Sequence, residues 1–234
     1  MATYNGAAYL DPQVHSILHQ LKPCDELVIV DDCSSDTTPM LLQNLSGTQI
    51  RVFRNRQRLG VIRTFERALS LTRSSIIFFS DQDDIWLPGK RRDFVQAFHD
   101  DPQCMVVVSD AEVIDGENNA VAQSFMQARG GFRAGLWHTL HKNRFLGCAM
   151  ALRREVVELG LPIPAMVPMH DMWFGLLGGA IGTVRYLPAP YLQYRRHGTN
   201  ATASRRAPWV TVIKWRLSLL FATSYRLCSR RLVH

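Results

Sequence analysis

An α/β fold with a mainly parallel sheet, covered by helices on both faces, is predicted by three observations. Short apolar runs such as Val28-Ile29-Val30 and Ile76-Ile77-Phe78-Phe79 are rich in β-branched or aromatic residues and lack a helical period, so they read as buried strands. Amphipathic stretches alternate with them, and that alternation implies parallel strands joined by crossover helices. The chain has 234 residues and 47% hydrophobic content, enough for one sizeable core.

The elements follow in order. Leu10, Val14, Ile17, Leu18 and Leu21 fall on one helical face, with Pro12 tolerated in the first turn. Glu26 to Val30 forms a strand that delivers Asp31 and Asp32 at its end, and Asp36 caps a helix from Thr37 to Leu45. Ile50 to Phe53 is a short strand, and Val61, Phe65, Ala68 and Leu69 mark the next helix. Strand 76–79 precedes a helix opened by Pro88, with Phe94, Val95 and Phe98 inward. Met105 to Val108 is a strand leading to Asp110, and residues 116–145 read as loop. Phe145 to Leu152 is expected as a strand and Asp171 to Leu177 as a helix. Tyr186 to Tyr194 is expected as extended chain, confined by Pro188 and Pro190 to a sheet edge or loop. Trp209 to Leu232 carries helical signals, but Lys214 and Arg216 interrupt it before the ~20 apolar residues that a spanning helix needs.

The acidic run Asp81-Gln82-Asp83-Asp84 at the exit of strand 76–79 is the most informative feature. Carboxylates so placed repel one another and resist desolvation, a cost that a cation or a set of donors offsets. The Asp81-x-Asp83 spacing fits a hard divalent metal that keeps open positions for phosphate.

Asp81-Gln82-Asp83 resembles the DxD motif of family 2 glycosyltransferases with the GT-A fold, and Asp84-Ile85-Trp86-Leu87-Pro88 is similar to its usual continuation. Other pieces stand in the family's order: Ala2-Thr3-Tyr4-Asn5-Gly6, Val28 to Asp36, Asn55 to Gly60, His170-Asp171-Met172-Trp173, and Tyr194-Arg195-Arg196-His197-Gly198. The last two most resemble the rhamnosyltransferase-like branch. The resemblance covers roughly residues 1–200, implying a GT-A-like α/β/α sandwich with a nucleotide-binding half over about 1–110 and an acceptor half over about 111–200. Residues 201–234 form a basic helical tail. The family has an apolar strand just before the Thr-Tyr-Asn piece. Here only Met1 and Ala2 precede it, so that central strand is expected to be missing, from a misplaced start or a truncation.

The resemblance also implies roles. Thr3, Tyr4 and Asn5 bind the nucleotide, with the Thr3 backbone and Tyr4 ring on the pyrimidine; the alternative is an Asn-Gly turn with a surface tyrosine. Asp31 or Asp32 accepts from the pyrimidine N–H, Asp32 being preferred, although the run also reads as a helix-capping turn. Arg63 faces the diphosphate or is a solvated helix arginine. Asp83 is the first metal ligand, for Mg2+ or Mn2+, and Asp81 points to the ribose or the metal's water shell. His197 completes the metal or diphosphate site, and Arg195 and Arg196 clamp phosphate. Asp171 is the general base for single displacement with inversion. His170 and Trp173 line the acceptor or sugar pocket, core packing being the alternative for Trp173.

Charge and cysteine content bound the setting. The formal charge is +7, but residues 1–171 hold 17 basic and 20 acidic residues, whereas the last 63 hold ten basic and no acidic ones. That asymmetry suggests an anionic partner at the C-terminal end. Five scattered cysteines with no C-x-x-C support neither a disulfide framework nor a zinc site. Met1 leads into polar Thr3-Tyr4-Asn5, so no signal peptide is expected. The resulting expectation is a cytoplasmic, bacterial-type enzyme at the inner face of the membrane. It would use a UDP- or dTDP-sugar, dTDP-rhamnose among them, and a glycan or lipid-linked acceptor, without nucleic acid. The rivals are a sugar-nucleotide nucleotidyltransferase, which would show a Gly-rich basic N-terminal loop, and a non-catalytic basic membrane- or nucleic-acid-binding domain. The binding domain leaves Asp81, Asp83 and Asp171 unexplained.

Overall fold

The computed structural model describes residues 1–135, 138–139, 142–198 and 208–231. Residues 201–207 and 232–234 of the basic tail lie outside the described residues. The α/β architecture is present, and its strands form two sheets. The first is parallel, in the order β1 (Ala2–Thr3), β2 (Leu27–Asp31), β3 (Ile50–Arg54). The second has the path β4 (Ile76–Phe78), β8 (Met150–Arg153), β6 (Cys104–Ile114), β9 (Thr183–Arg195), β5 (Ile85–Trp86), with β7 (Ala120–Ala122) beside β6. Here only β6 and β9 run parallel; the β4–β8, β6–β8, β6–β7 and β5–β9 pairs are antiparallel. Parallel pairing is therefore concentrated in the N-terminal half, and the later half is mixed.

Helices α1 (Leu10–Leu18), α2 (Thr38–Asn44), α3 (Val61–Leu71) and α4 (Lys90–Asp100) connect the early strands. Leu10, Val14 and Ile17 bury the expected face of α1 against β2, together with Trp86. Asp36 accepts from the Thr38 N–H at 2.9 Å, so it does satisfy the start of α2. In α4, Phe94 and Phe98 are buried against Val107 and Ala151, while Val95 is half-buried. Helices α5 (Arg154–Gly160), α6 (His170–Ile181) and α7 (Trp209–Arg231) follow. The largest core cluster joins α3, α5, α6 and α7 to the second sheet, with Leu219 and Ala222 as the contribution of α7.

Three expectations change. Phe145 to Leu152 is a strand only from Met150; Gly147–Ala149 makes a 3-10 turn instead. Strand β6 extends to Ile114 because Asp110 and Glu112 pair with β9 despite their polarity. Strand β9 lies inside the sheet rather than at its edge. Its prolines are accommodated because β5 pairs only with Leu192 and Gln193, and because the β6–β9 register shifts near Asp110.

The first strand is not wholly absent. Ala2 and Thr3 pair with Val30 and Asp31, and Ala2 N–H donates to Ser80 O at 3.3 Å, so residues 1–3 bridge the two sheets. Below that bridge, a cleft of about 640 Å³ separates β2 from β4, lined by Met1, Val28, Ile77 and Phe78 among others.

Gly175 and Gly178 of α6 mark close packing. A Cβ on Gly178 would fall inside contact distance of the Val106 side chain, and one on Gly175 would meet the Phe145 ring at 2.6 Å. Gly178→Ala is expected to destabilise the fold by about 1–3 kcal/mol through overpacking, read as a lower urea midpoint. An unchanged midpoint would mean that α6 can lift from β6 at no cost.

Candidate active site

A pocket of about 550 Å³ opens where β1, β2 and β4 end and α6 begins. Thr3, Tyr4, Asn5 and Asp32 line it, as do Asp81, Asp83, His170 and Asp171. Eight residues from four separate sequence motifs thus meet in one cavity.

Strand ends set the nucleotide corner. Asp31 turns inward, bound to the Thr3 and Ser34 hydroxyls and the Ser34 N–H, whereas Asp32 reaches the pocket. Asp32 accepts from Asn55 Nδ2 and Leu59 N–H at 2.7 Å each and from Gly60 N–H at 2.8 Å. These donors aim the carboxylate and anchor the 55–60 loop. Asn5 clasps the facing turn: its N–H donates to the Ser34 hydroxyl and its Oδ1 accepts from Ser35 N–H, each at 2.9 Å. Arg58, which sequence reasoning missed, stacks 4.0 Å over the Tyr4 ring and lines the pocket. Gln82, the middle residue of Asp81-Gln82-Asp83, exchanges hydrogen bonds with the Tyr4 backbone at 2.7 and 3.0 Å and so ties the acidic loop to this corner.

Behind the acidic loop sits a second layer of charge. Asp84 and Lys90 are fully buried. Lys90 Nζ donates to Cys148 O at 2.6 Å and lies 4.4 Å from the Trp86 ring, and burial lowers its pKa to about 8. Burial, reinforced by the Asp83 charge, raises Asp84 to about 7. Asp81 is pushed well above the usual carboxylate range by burial and then by the charges of Asp84, Asp83 and Asp171. Ligand atoms of Asp81, Asp84 and Cys148 lie within 4.8 Å of one another, and Asp84 Oδ2 has no hydrogen-bond partner among the described residues. Two carboxylates of this trio suit a hard divalent cation; Asp83, the expected first ligand, lies outside the trio beside His197 and lines the pocket with Asp81.

The Arg195-Arg196-His197 segment splits in use. His197 Nε2 lies 2.8 Å from Asp83 Oδ2, with the ring 4.9 Å from that of Tyr9. Arg195, expected as a phosphate clamp, is 2% exposed: its Nε donates to Asp83 O at 2.7 Å, its Nη1 to Asp115 O at 3.0 Å and its backbone N–H to Asp84 Oδ1 at 3.0 Å. A guanidinium so engaged supports the acidic loop from beneath. Arg196 is exposed. Two further expectations are redirected by packing. Arg63 lies outside the pocket lining and donates to Glu66 and to Ile163 O, each at 2.8 Å. Trp173 is fully buried, with Nε1 on Gly160 O at 2.9 Å, and is a core residue.

Asp171 stands in the first turn of α6, where its Oδ1 accepts from Met172 N–H at 2.6 Å and its Oδ2 from Asn143 Nδ2 at 3.5 Å. Burial raises its pKa to about 6. Neighbouring His170 stacks on Phe65 at 4.2 Å and meets the edge of Phe79 at 4.9 Å. Neither of its ring nitrogens has a partner among the described residues, and burial lowers its pKa to about 3, so the imidazole is neutral. Tyr194, which opens the Tyr194-Arg195-Arg196-His197-Gly198 piece, also lines the pocket, as do Met169 and Gly147, which were not singled out in the sequence.

A family model described as Glycosyl transferase family 2 matches residues 1–160. An uncharacterized glycosyltransferase, alr2836 of a Nostoc strain, is 27% identical over 216 residues, 86% of this chain and 64% of the relative. The Escherichia coli UDP-Glc:alpha-D-GlcNAc-diphosphoundecaprenol beta-1,3-glucosyltransferase WfgD is 31% identical over 90 residues, 38% of this chain and 36% of the relative. Among solved structures, Staphylococcus aureus TarS 1-349 in complex with UDP-GlcNAc superposes with a TM-score of 0.68 at 18% identity, over 88% of this chain and 60% of that one, a likeness of fold. This chain spans less than two thirds of the length of each of these relatives.

Proposed function

Because the chain belongs to glycosyl transferase family 2, we propose that it moves one sugar, with inversion, from a UDP- or dTDP-sugar, dTDP-rhamnose among the candidates, to a hydroxyl of a glycan or lipid-linked acceptor. The observation that carries this reading is the single pocket in which Tyr4 and Asp32, the Asp81–Asp83 acids and the buried carboxylate of Asp171 converge. The diphosphoundecaprenol in the name of WfgD supports a lipid-linked acceptor. The charge asymmetry supports peripheral contact with an anionic membrane through the basic stretch 201–234, and the scattered cysteines suit a cytoplasmic setting.

The nucleotide base stacks on Tyr4, and Asp32, already aimed by three donors, accepts from the base's N–H. Mg2+ or Mn2+ held by Asp83 and Asp81, with His197 beside Asp83, would neutralise charge on the departing diphosphate. Arg196, exposed beside His197 and outside the pocket lining, would have to swing inward to meet the phosphates. Asp171 takes the proton of the attacking hydroxyl as the new C1–O bond forms and the C1–O bond to the diphosphate breaks. No covalent enzyme intermediate is needed. His170 borders the reacting sugar as a neutral, apolar-packed ring.

Incubation with UDP-, dTDP- and GDP-sugars and Mn2+, following release of the nucleoside diphosphate, tests this reading. Metal-dependent release from at least one donor is expected, and no release from any of them overturns it. The rate should also report Asp171. Its burial favours the neutral acid, which cannot accept a proton, so activity is expected to fall about tenfold per pH unit below pH about 6 and to level off above it. A flat profile between pH 5 and pH 7 would remove Asp171 from the role of base.

A further inference from the structure

Helix α7 (Trp209–Arg231) has two faces of different use. One is fastened to the domain: Leu219 and Ala222 are buried in the main core, and Arg226 donates to Leu159 O, Leu161 O and Pro162 O at 3.1, 2.6 and 2.7 Å. On the opposite face Val210, Ile213, Leu217, Phe221 and Tyr225 follow one another at spacings of three or four residues, each 54 to 68% exposed. At 100° per residue this is a continuous apolar stripe about half a turn from Leu219. A surface helix needs only its inward stripe, so a second, outward one marks an interaction surface.

The chemistry around the stripe selects the partner. Exposed Lys214 lies within it, between the Phe221 and Tyr225 directions, and no acidic residue occurs after Asp171. Pairing with a second copy would bring two such basic helices together with no acidic counter-charges on either. An anionic lipid surface supplies both an apolar layer and the opposite charge. We propose that the outward stripe of α7 lies in the interfacial layer of an anionic membrane, with Trp209 at its N-terminal end. This rests on the peripheral placement proposed above and gives it a defined face. Among the described residues no helix is long and apolar enough to cross a membrane, so α7 lies along the surface. Because the same helix packs on α5 and α6, membrane contact would hold the Asp171-bearing helix in a fixed attitude to the bilayer.

The test is co-sedimentation of the full chain with phosphatidylcholine vesicles, with and without about 30% phosphatidylglycerol. Binding to the anionic vesicles alone, weakened by salt, is expected. The double substitution Leu217→Asp with Phe221→Asp should weaken it by about tenfold or more. Both side chains are exposed, so the melting temperature should hold. No binding by the unsubstituted chain would overturn the stripe and the peripheral placement together, leaving sugar release as an independent readout. Equal binding by the substituted chain would overturn the stripe alone. Self-association abolished by the same pair, without vesicle binding, would assign the stripe to a second copy and overturn the membrane proposal.

Discussion

Asp83→Ala is expected to reduce metal-dependent turnover roughly a thousandfold or more, equivalent to about 4 kcal/mol of transition-state stabilisation. The loss should be chemical rather than structural. Arg195 Nε bonds the main-chain oxygen of residue 83, which alanine keeps, and Gln82 still pins the loop to Tyr4. What disappears is a carboxylate on the pocket side of the acidic cluster and the partner of His197 Nε2. The check is a Mn2+ titration of turnover alongside a melting curve. A preserved melting temperature with collapsed activity is expected, whereas turnover within tenfold of the unsubstituted enzyme would remove Asp83 from the metal site.

Asp171→Asn should lower transfer by roughly a hundredfold to ten-thousandfold while leaving donor and metal binding nearly unchanged. Asparagine keeps the shape and can accept the Met172 N–H, but it cannot take a proton. His170 is the competing candidate because it adjoins Asp171, and the structure argues against it. Its nitrogens are buried beyond solvent contact and its ring is held between Phe65 and Phe79. His170→Gln should therefore be the milder change. Near-normal transfer by Asp171→Asn with inversion retained would falsify the assignment.

That Asp83 and Asp171 share one cavity was legible in the sequence because the short motifs that carry them resemble those of the family, each at the terminus of a regular element. Asp32 was legible for the same reason. Residues whose use depends on distant loops were not. Arg58 joins the pocket only because the 55–60 loop is folded back by Asp32, and Gln82 joins it only because residues 4–6 come to lie beside the acidic run. Arg195 shows the converse limit. A guanidinium in a basic triplet suggests phosphate, but burial supplied it with carbonyl partners first. The prolines of β9 misled because proline forbids pairing on one side only, and β6 pairs on the other. The polar second half of β6 broke the apolar run from which strands are read, although Asp110 there is satisfied by Ala111 and Met126 N–H groups at 2.8 and 2.9 Å.

The cleft between β2 and β4 leaves residues 1–3 to join the two sheets at its upper end. Ala2 N–H donates to the O of Ser80, two residues past the end of β4, and the Met1 amino group donates to Val28 O of β2. The gap is lined by apolar Ile77 and Phe78 and also by charged Glu26, Arg91 and Arg153. Residues 1–4 therefore clasp the Asp32 corner to the acidic loop, through Ala2 N–H on Ser80 O and Tyr4 N–H on Gln82 Oε1.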